Sequence, residues 1–222
     1  MSIFSKFLEE YIEITINASL ILKGKLIDVG SDIMVIYNGE DFYYIPLVHT
    51  QYIRFSKLAY TEEIQLPPEL PIGQPEDNIS VRKILTNSKG IFTEIYVTNH
   101  QPIHGYVTGV MNDYFLFFSP VHKLISIPLQ HFKWLMPYRE NERPYSLKNE
   151  EFPLIPISTT SARTFEEQCK RNIGKMAIFD LGKEPKKIGK IISIQNNQVE
   201  LAIARNQTIF TNLTHVHSAS FL

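Results

Sequence analysis

Apolar residues in this chain alternate with polar ones or form short continuous runs, and three stretches do so in the same order. The pattern predicts strands over 12–16, 20–29, 33–37, 41–45 and 52–55. It predicts five more over 92–97, 103–111, 114–119, 123–127 and 133–136, and a last five over 175–180, 187–195, 198–204, 207–211 and 217–221. Each set follows a stretch with helical spacing. Ile3, Phe4, Phe7, Leu8 and Tyr11 share a face, as do Ile79, Val81, Ile84 and Leu85. Phe165, Cys169 and Ile173 form the third such face, with Ser161 or Thr164 as the cap and Glu166 and Glu167 in the first turn.

Aligned on these elements, the chain repeats itself. Each copy opens on a glycine, Gly24, Gly105 or Gly189. A polar turn follows: Gly30-Ser31-Asp32, Asn112-Asp113 or Asn196-Asn197. Each copy closes on Leu-x-His: Leu47 and His49, Leu129 and His131, Leu213 and His215. A repeat that keeps its register while its side chains vary indicates one architecture used three times, not one active site. The modules span 1–59, 79–138 and 162–222.

Between them lie an acidic Pro-rich linker, 60–78, and a Pro-containing linker, 139–161. Together these hold seven of the thirteen prolines, which rules out interior strands there, because proline cannot donate to a ladder. Stiff extended straps are expected instead, the second pinned by Phe152, Leu154, Ile155 and Ile157. A module of about 60 residues is marginal alone, so the three are expected to pack together. The expected class is all-β with short helices: three tandem small barrels of the SH3-like or Sm-like kind, closed because five exposed strands would leave reactive edges.

Charge adds an asymmetry. The net charge is −1. The first module carries five basic and seven acidic residues, net −2, and the second is +3. The third has nine basic and five acidic residues, net +4. This is far from the basic excess of a dedicated nucleic-acid binder, but it makes the chain dipolar along its length. One cysteine, Cys169, excludes an intrachain disulfide and reads as a buried small hydrophobe. No apolar run approaches the roughly 20 residues of a membrane span, and no signal peptide is read at the start, so synthesis in the cytoplasm is expected.

Candidate chemistry is sparse. Gly24, Gly105 and Gly189 suit strands bent too sharply for a Cβ, and Asp32, Asp113 and Asn197 suit hairpin turns. His49, His131 and His215 could form a three-histidine metal site if the modules packed about a common axis, but no carboxylate or thiolate recurs with them. Hydrogen-bonded corners are the plainer reading, and no cofactor is expected. Lys183, Lys186, Lys187 and Lys190 form the densest basic patch, a candidate surface for an anionic partner. No nucleophile elbow, phosphate loop or zinc-protease motif is present, and a non-enzymatic protein is expected.

A helix followed by five bent strands with this glycine and turn spacing resembles the Sm-like fold of Hfq and the LSm proteins. The organisation is closer still to the repeat family of Bacillus spore coat protein B (CotB), which carries three such units. The residues that carry the resemblance are Lys23-Gly24-Lys25-Leu26, Ser31-Asp32, Tyr43-Tyr44 and Leu47-x-His49 in the first module. In the third they are Gly182-Lys183-Glu184-Pro185, Gly189-Lys190 and Leu213-x-His215. The coat family's Ser/Lys-rich tail has no counterpart here, so its role does not carry over.

The resemblance implies a structural or interaction component of the spore coat or its assembly. Its partners would be other coat proteins or further copies of itself. Trp134 and Tyr138 are candidate contact aromatics. The alternative implied by the Sm-like resemblance is RNA binding through the lysine patch. Hfq reads RNA with a Tyr-Lys-His stretch, and the matching positions here, Ile45-Pro46-Leu47, Ile127-Pro128-Leu129 and Thr211-Asn212-Leu213, have no basic residue.

Overall fold

The strands form close to the bounds read from the alternation. The computed structural model describes residues 3–17, 20–55, 64–65, 69–73, 78–97, 101–139, 142, 144–147 and 161–222. The first module contains β1 (Tyr11–Asn17), β2 (Leu20–Val29), β3 (Ile33–Tyr37), β4 (Phe42–Pro46) and β5 (Tyr52–Phe55). The second contains β6 (Thr93–Tyr96), β7 (Pro102–Val110), β8 (Tyr114–Ser119), β9 (Lys123–Pro128) and β10 (Trp134–Pro137). The third contains β11 (Met176–Phe179), β12 (Ile188–Gln195), β13 (Gln198–Ile203), β14 (Gln207–Asn212) and β15 (Ala219–Phe221). All pairings between them are antiparallel, and the chain is mostly β.

Within every module the strand order is fifth, first, second, third, fourth. The expected closure of each module on itself is not what the pairing shows. The fourth strand of one module pairs with the fifth of the next, β4 with β10 and β9 with β15. The fifteen strands among the described residues therefore follow one another in a single open order with β14 at one end and β5 at the other. The physical reason is the one that suggested barrels: an unpaired edge must find a partner, and here the partner belongs to the neighbouring module.

The second strand of each module bends at a fixed place. The register slips between Leu26 and Asp28, between Val107 and Gly109, and between Ile191 and Ser193. Each bulge lies two residues beyond a repeat glycine, and bulges sharpen local twist. The glycines sit where the facing backbone comes too near for a side chain. A Cβ on Gly105 would stand 1.9 Å from the Phe118 carbonyl oxygen; on Gly24 and Gly189 it would stand 2.6 Å from that of Tyr37 and 2.7 Å from that of Ala202.

Helix α1 (Val81–Asn87) and helix α2 (Phe165–Lys170) lead the second and third modules, capped by the side chains of Ser80 and Thr164. The helix expected ahead of the first module is reduced to one 3-10 turn, Ser5–Phe7, with no side-chain cap. Its Phe7 stacks on Phe55 at 3.8 Å between ring centroids.

The third strand of the first and of the second module divides the interior. Met34 and Ile36 face the core of the first module, which also takes in Trp134 of the second. Ile33 and Val35, on the opposite face of β3, join the core of the second module with Ile84 and Leu85 of α1. In β8, Phe115 and Phe117 face that same core, whereas Tyr114 and Leu116 face the core of the third module. In β13 Val199 and Leu201 are buried in that third core and Ile203 packs against it, all on one face, whereas Gln198 on the other face is exposed.

Of the linkers, Ile72 is buried, and its peptide N–H and C=O both bond the Tyr44 hydroxyl at 3.0 and 2.8 Å. Phe152, Leu154, Ile155 and Ile157 lie outside the described residues.

Replacing Gly105 by Ala should destabilise the protein by about 1–3 kcal/mol, because the contact is with backbone and the strand must shift. A lower urea midpoint at unchanged slope is the expected reading, and an unchanged midpoint would contradict the close approach.

Candidate functional site

The constructed feature of this molecule is the joint between modules, which is built twice from equivalent residues. Counting from the repeat glycines, Thr93 opposes Gly105, Ala177 opposes Gly189 and Ile12 opposes Gly24. Two residues on, Ile95 pairs with Leu135, Phe179 with Ala219 and Ile14 with Ile53. Leu135, Ala219 and Ile53 are thus one position of the repeat. On the other flank, Val35 pairs with Tyr44, Leu116 with Ser126 and Glu200 with Phe210. The first joint pairs Leu135 with Tyr44 and the second pairs Ala219 with Ser126. The register is the same in both, and all four residues are buried.

A second contact locks the hairpin turn of one module onto the helix of the next. The Ser31 amide donates to the Ile79 carbonyl at 3.2 Å, and the Val81 amide donates to Asp32 Oδ1 at 2.8 Å. One module later, the Asn112 amide donates to the Arg163 carbonyl at 3.0 Å, and the Phe165 amide to Asp113 Oδ1 at 2.8 Å. Each carboxylate satisfies a helix-terminal N–H that has no partner within the helix and sits at the positive end of the helix dipole.

Sequence reasoning identified Asp32 and Asp113 as turn residues and missed this second role. The signal was available: aspartate occupies the turn in the two modules that have a successor. The third module has Asn196-Asn197 instead, both left-handed (φ 49° and 61°) in a two-residue turn between β12 and β13.

The Leu-x-His motif is a backbone device. Leu47, Leu129 and Leu213 each donate their amide to the carbonyl of the module's own turn residue, Asp32, Asp113 or Asn197, at 2.8 Å in every case. Each leucine then starts a 3-10 turn ending at His49, His131 or His215.

The three histidines do not gather. His131 meets His217 rather than His215, with ring centroids 4.3 Å apart, and its Nε2 lies 2.9 Å from the Thr214 carbonyl oxygen. Among the described residues no group of three His, Cys, Asp or Glu is placed to hold a metal ion. His49 lies at the first joint. Burial, with help from the charges of Lys133 and His131, lowers its pKa to about 4 against the raising effect of a Phe132 backbone hydrogen bond. At the second joint Asp180 accepts from the His217 amide at 2.7 Å and pairs with Lys187 Nζ at 2.8 Å. Burial works to raise its pKa, but the hydrogen bonds of His217 and Lys187 outweigh that and hold the carboxyl well below the usual range.

That pairing also draws on the lysine patch. Lys187 is largely covered by its bond to Asp180, and Lys186 pairs with Glu184 at 2.8 Å. Two of the four lysines are thus already matched to carboxylates. Of the candidate contact aromatics, Trp134 is only 3% exposed and stacks on Tyr96 at 4.1 Å inside the first joint. Tyr138 hydrogen-bonds His104 Nδ1 at 2.7 Å. Cys169 is buried, and its thiol is pushed up to about 12 by that burial. No described helix is long and apolar enough to cross a membrane.

The exposed counterparts of the joint residues lie at the two ends of the strand order. Phe210 of β14, equivalent to buried Tyr44 and Ser126, is 69% exposed. Tyr52 of β5, equivalent to Trp134, is 73% exposed.

Two predictions follow from the joints. Asp113→Ala removes a helix partner and should cost about 1 kcal/mol of stability, measured by thermal unfolding, with the amides of α2 losing hydrogen-exchange protection first. His49 takes up a proton more readily in the unfolded chain (ordinary pKa 6.5) than in the folded one (about 4). Stability should therefore fall as pH drops from 6.5 towards 4. His49→Gln should flatten denaturation midpoints across that window, and an undiminished slope would exclude His49 as its source.

The family model of the YwrJ third domain matches residues 164–219. The chain is also 40% identical over 215 residues to a Bacillus subtilis (strain 168) protein described as "Uncharacterized protein YwrJ", with 96% of each chain covered.

Proposed function

This chain belongs to the YwrJ family, and from its construction we propose a non-enzymatic structural or protein-interaction component that works through module surfaces and strand edges. The observation that carries this reading is the repeated joint. The residues common to all three modules, the glycines and the Leu-x-His turns, serve backbone close approach and turn closure. What differs between modules is whether the outer strand is covered. A chain whose recurring residues build edge-to-edge docking is suited to making assemblies.

We read each module as an Sm-like unit. The support is a strand order of fifth, first, second, third, fourth behind a leading helix in two of the three modules. The motif resemblance to the spore coat protein B repeats then points to the spore coat or its assembly as the place of action. The RNA-binding alternative would rest on the lysine patch. Its two carboxylate-paired members weaken the positive field that phosphate binding needs.

The test is a fluorescent fusion of this chain expressed in a sporulating Bacillus, together with RNA titration of the purified protein. Concentration of the fusion at the spore periphery, with no salt-sensitive RNA complex, is the expected outcome. A fusion that stays diffuse, with RNA binding abolished by Lys183→Ala and Lys190→Ala, would replace this reading with the nucleic-acid one.

A further inference from the structure

We infer that two copies of this chain associate head to tail, β14 of one pairing antiparallel with β5 of the other so that Phe210 faces Ile53. This deepens the interaction reading above by naming the partner, and it rests on that reading. The argument is continuity with the joints already inside the molecule. Both join a fourth strand to a fifth strand in one register, Tyr44 to Leu135 and Ser126 to Ala219. The same two repeat positions remain at the ends of the strand order, occupied by Phe210 and Ile53.

Among the described residues, the two end strands carry the marks of uncovered docking strands. Their fourth- and fifth-strand counterparts at the joints, β4, β9 and β10, are mostly buried, whereas β14 and β5 have no buried position and are exposed at every second position on average. The β14 sequence, Gln207-Thr208-Ile209-Phe210-Thr211-Asn212, has no charge and no proline, the usual guards against edge pairing. On the β5 side Tyr52 is exposed where Trp134 is buried, and Val48 of the adjoining turn is 78% exposed. The charges favour this polarity. The module that ends in β14 is net +4 and the module that ends in β5 is net −2.

The joint between copies differs from the internal ones in one respect. The outer face of β13 presents Gln198 and Glu200 where β3 and β8 present Ile33 and Val35, or Tyr114 and Leu116. Among the described residues this face offers no apolar layer. The association is therefore edge-based, dependent on concentration and weakened by salt. Because the interface is heterologous, it either closes into a ring or continues into an open chain of copies.

The experiment uses two single-cysteine additions to the full chain, Phe210→Cys and Ile53→Cys; native Cys169 is buried and does not compete. Directly opposed residues bring their Cβ atoms to about 4.5–5.5 Å, within reach of a disulfide after small adjustment. Mild oxidation of the mixture should give a two-chain product, and either variant alone should give none. Light scattering of the parent protein should show mass rising with concentration and falling with salt. Phe210→Asp, at an exposed site with an unchanged circular dichroism spectrum, should hold the mass at that of one chain.

Cross-linking of Phe210→Cys with itself would replace the inference with a symmetric β14 to β14 pairing. A single-chain mass at all concentrations, with no product from the mixture, would overturn it. Such a failure leaves the interaction reading to be decided by the fusion's location. A diffuse fusion with the cross-link present sinks the spore-coat placement and leaves this pairing standing.

Discussion

The unpaired edge of a short β-sheet is the constraint on which the rest of this structure depends. Five strands leave two rows of backbone N–H and C=O groups without partners, and a module of this size has too small a core to ignore them. Here the edge of one module is satisfied by the edge of the next, at Tyr44 with Leu135 and at Ser126 with Ala219. Other contacts between modules follow from that pairing. Once β4 and β10 lie side by side, the outer face of β3 comes under α1, and Ile33 and Val35 become core residues of the neighbouring module.

The turn clamps then fix the angle between neighbours. Each aspartate engages the amide at the start of the following helix, and the paired amide-to-carbonyl bond beside it makes the contact two-pronged. At Gly30 the approach is so close that a Cβ would stand 1.9 Å from the Ile79 carbonyl oxygen. These are short-range, directional interactions, so they set geometry more than they add stability. The apolar faces supply the larger share of the energy, because they remove several large side chains from water at each joint.

The histidines illustrate how position within a repeat and position in space diverge. His49, His131 and His215 are equivalent along the chain, yet His131 packs on His217, a residue without an equivalent histidine in the other modules. Translation by one module carries each histidine towards the next module's turn rather than towards a common centre. A linear arrangement of modules separates repeated side chains, whereas a common axis would have collected them.

Much of the fold was legible in the residues themselves. Alternation or a short apolar run marked every strand, and the glycines and Leu-x-His turns marked the repeat, because those positions answer to local backbone geometry. Even the one-sided burial of the third module's third strand was written there. Ile33–Tyr37 and Tyr114–Ser119 are continuous apolar runs, as strands buried on both faces require, whereas Gln198–Ile203 begins with alternation. Tertiary structure alone decided which edges would meet, that Asp32 and Asp113 would cap helices of another module, that Lys187 would be matched to Asp180, and that Trp134 would be buried at a joint. Those outcomes depend on residues distant in the chain coming together, and a pattern of period two specifies which face of a strand is apolar without specifying what covers it.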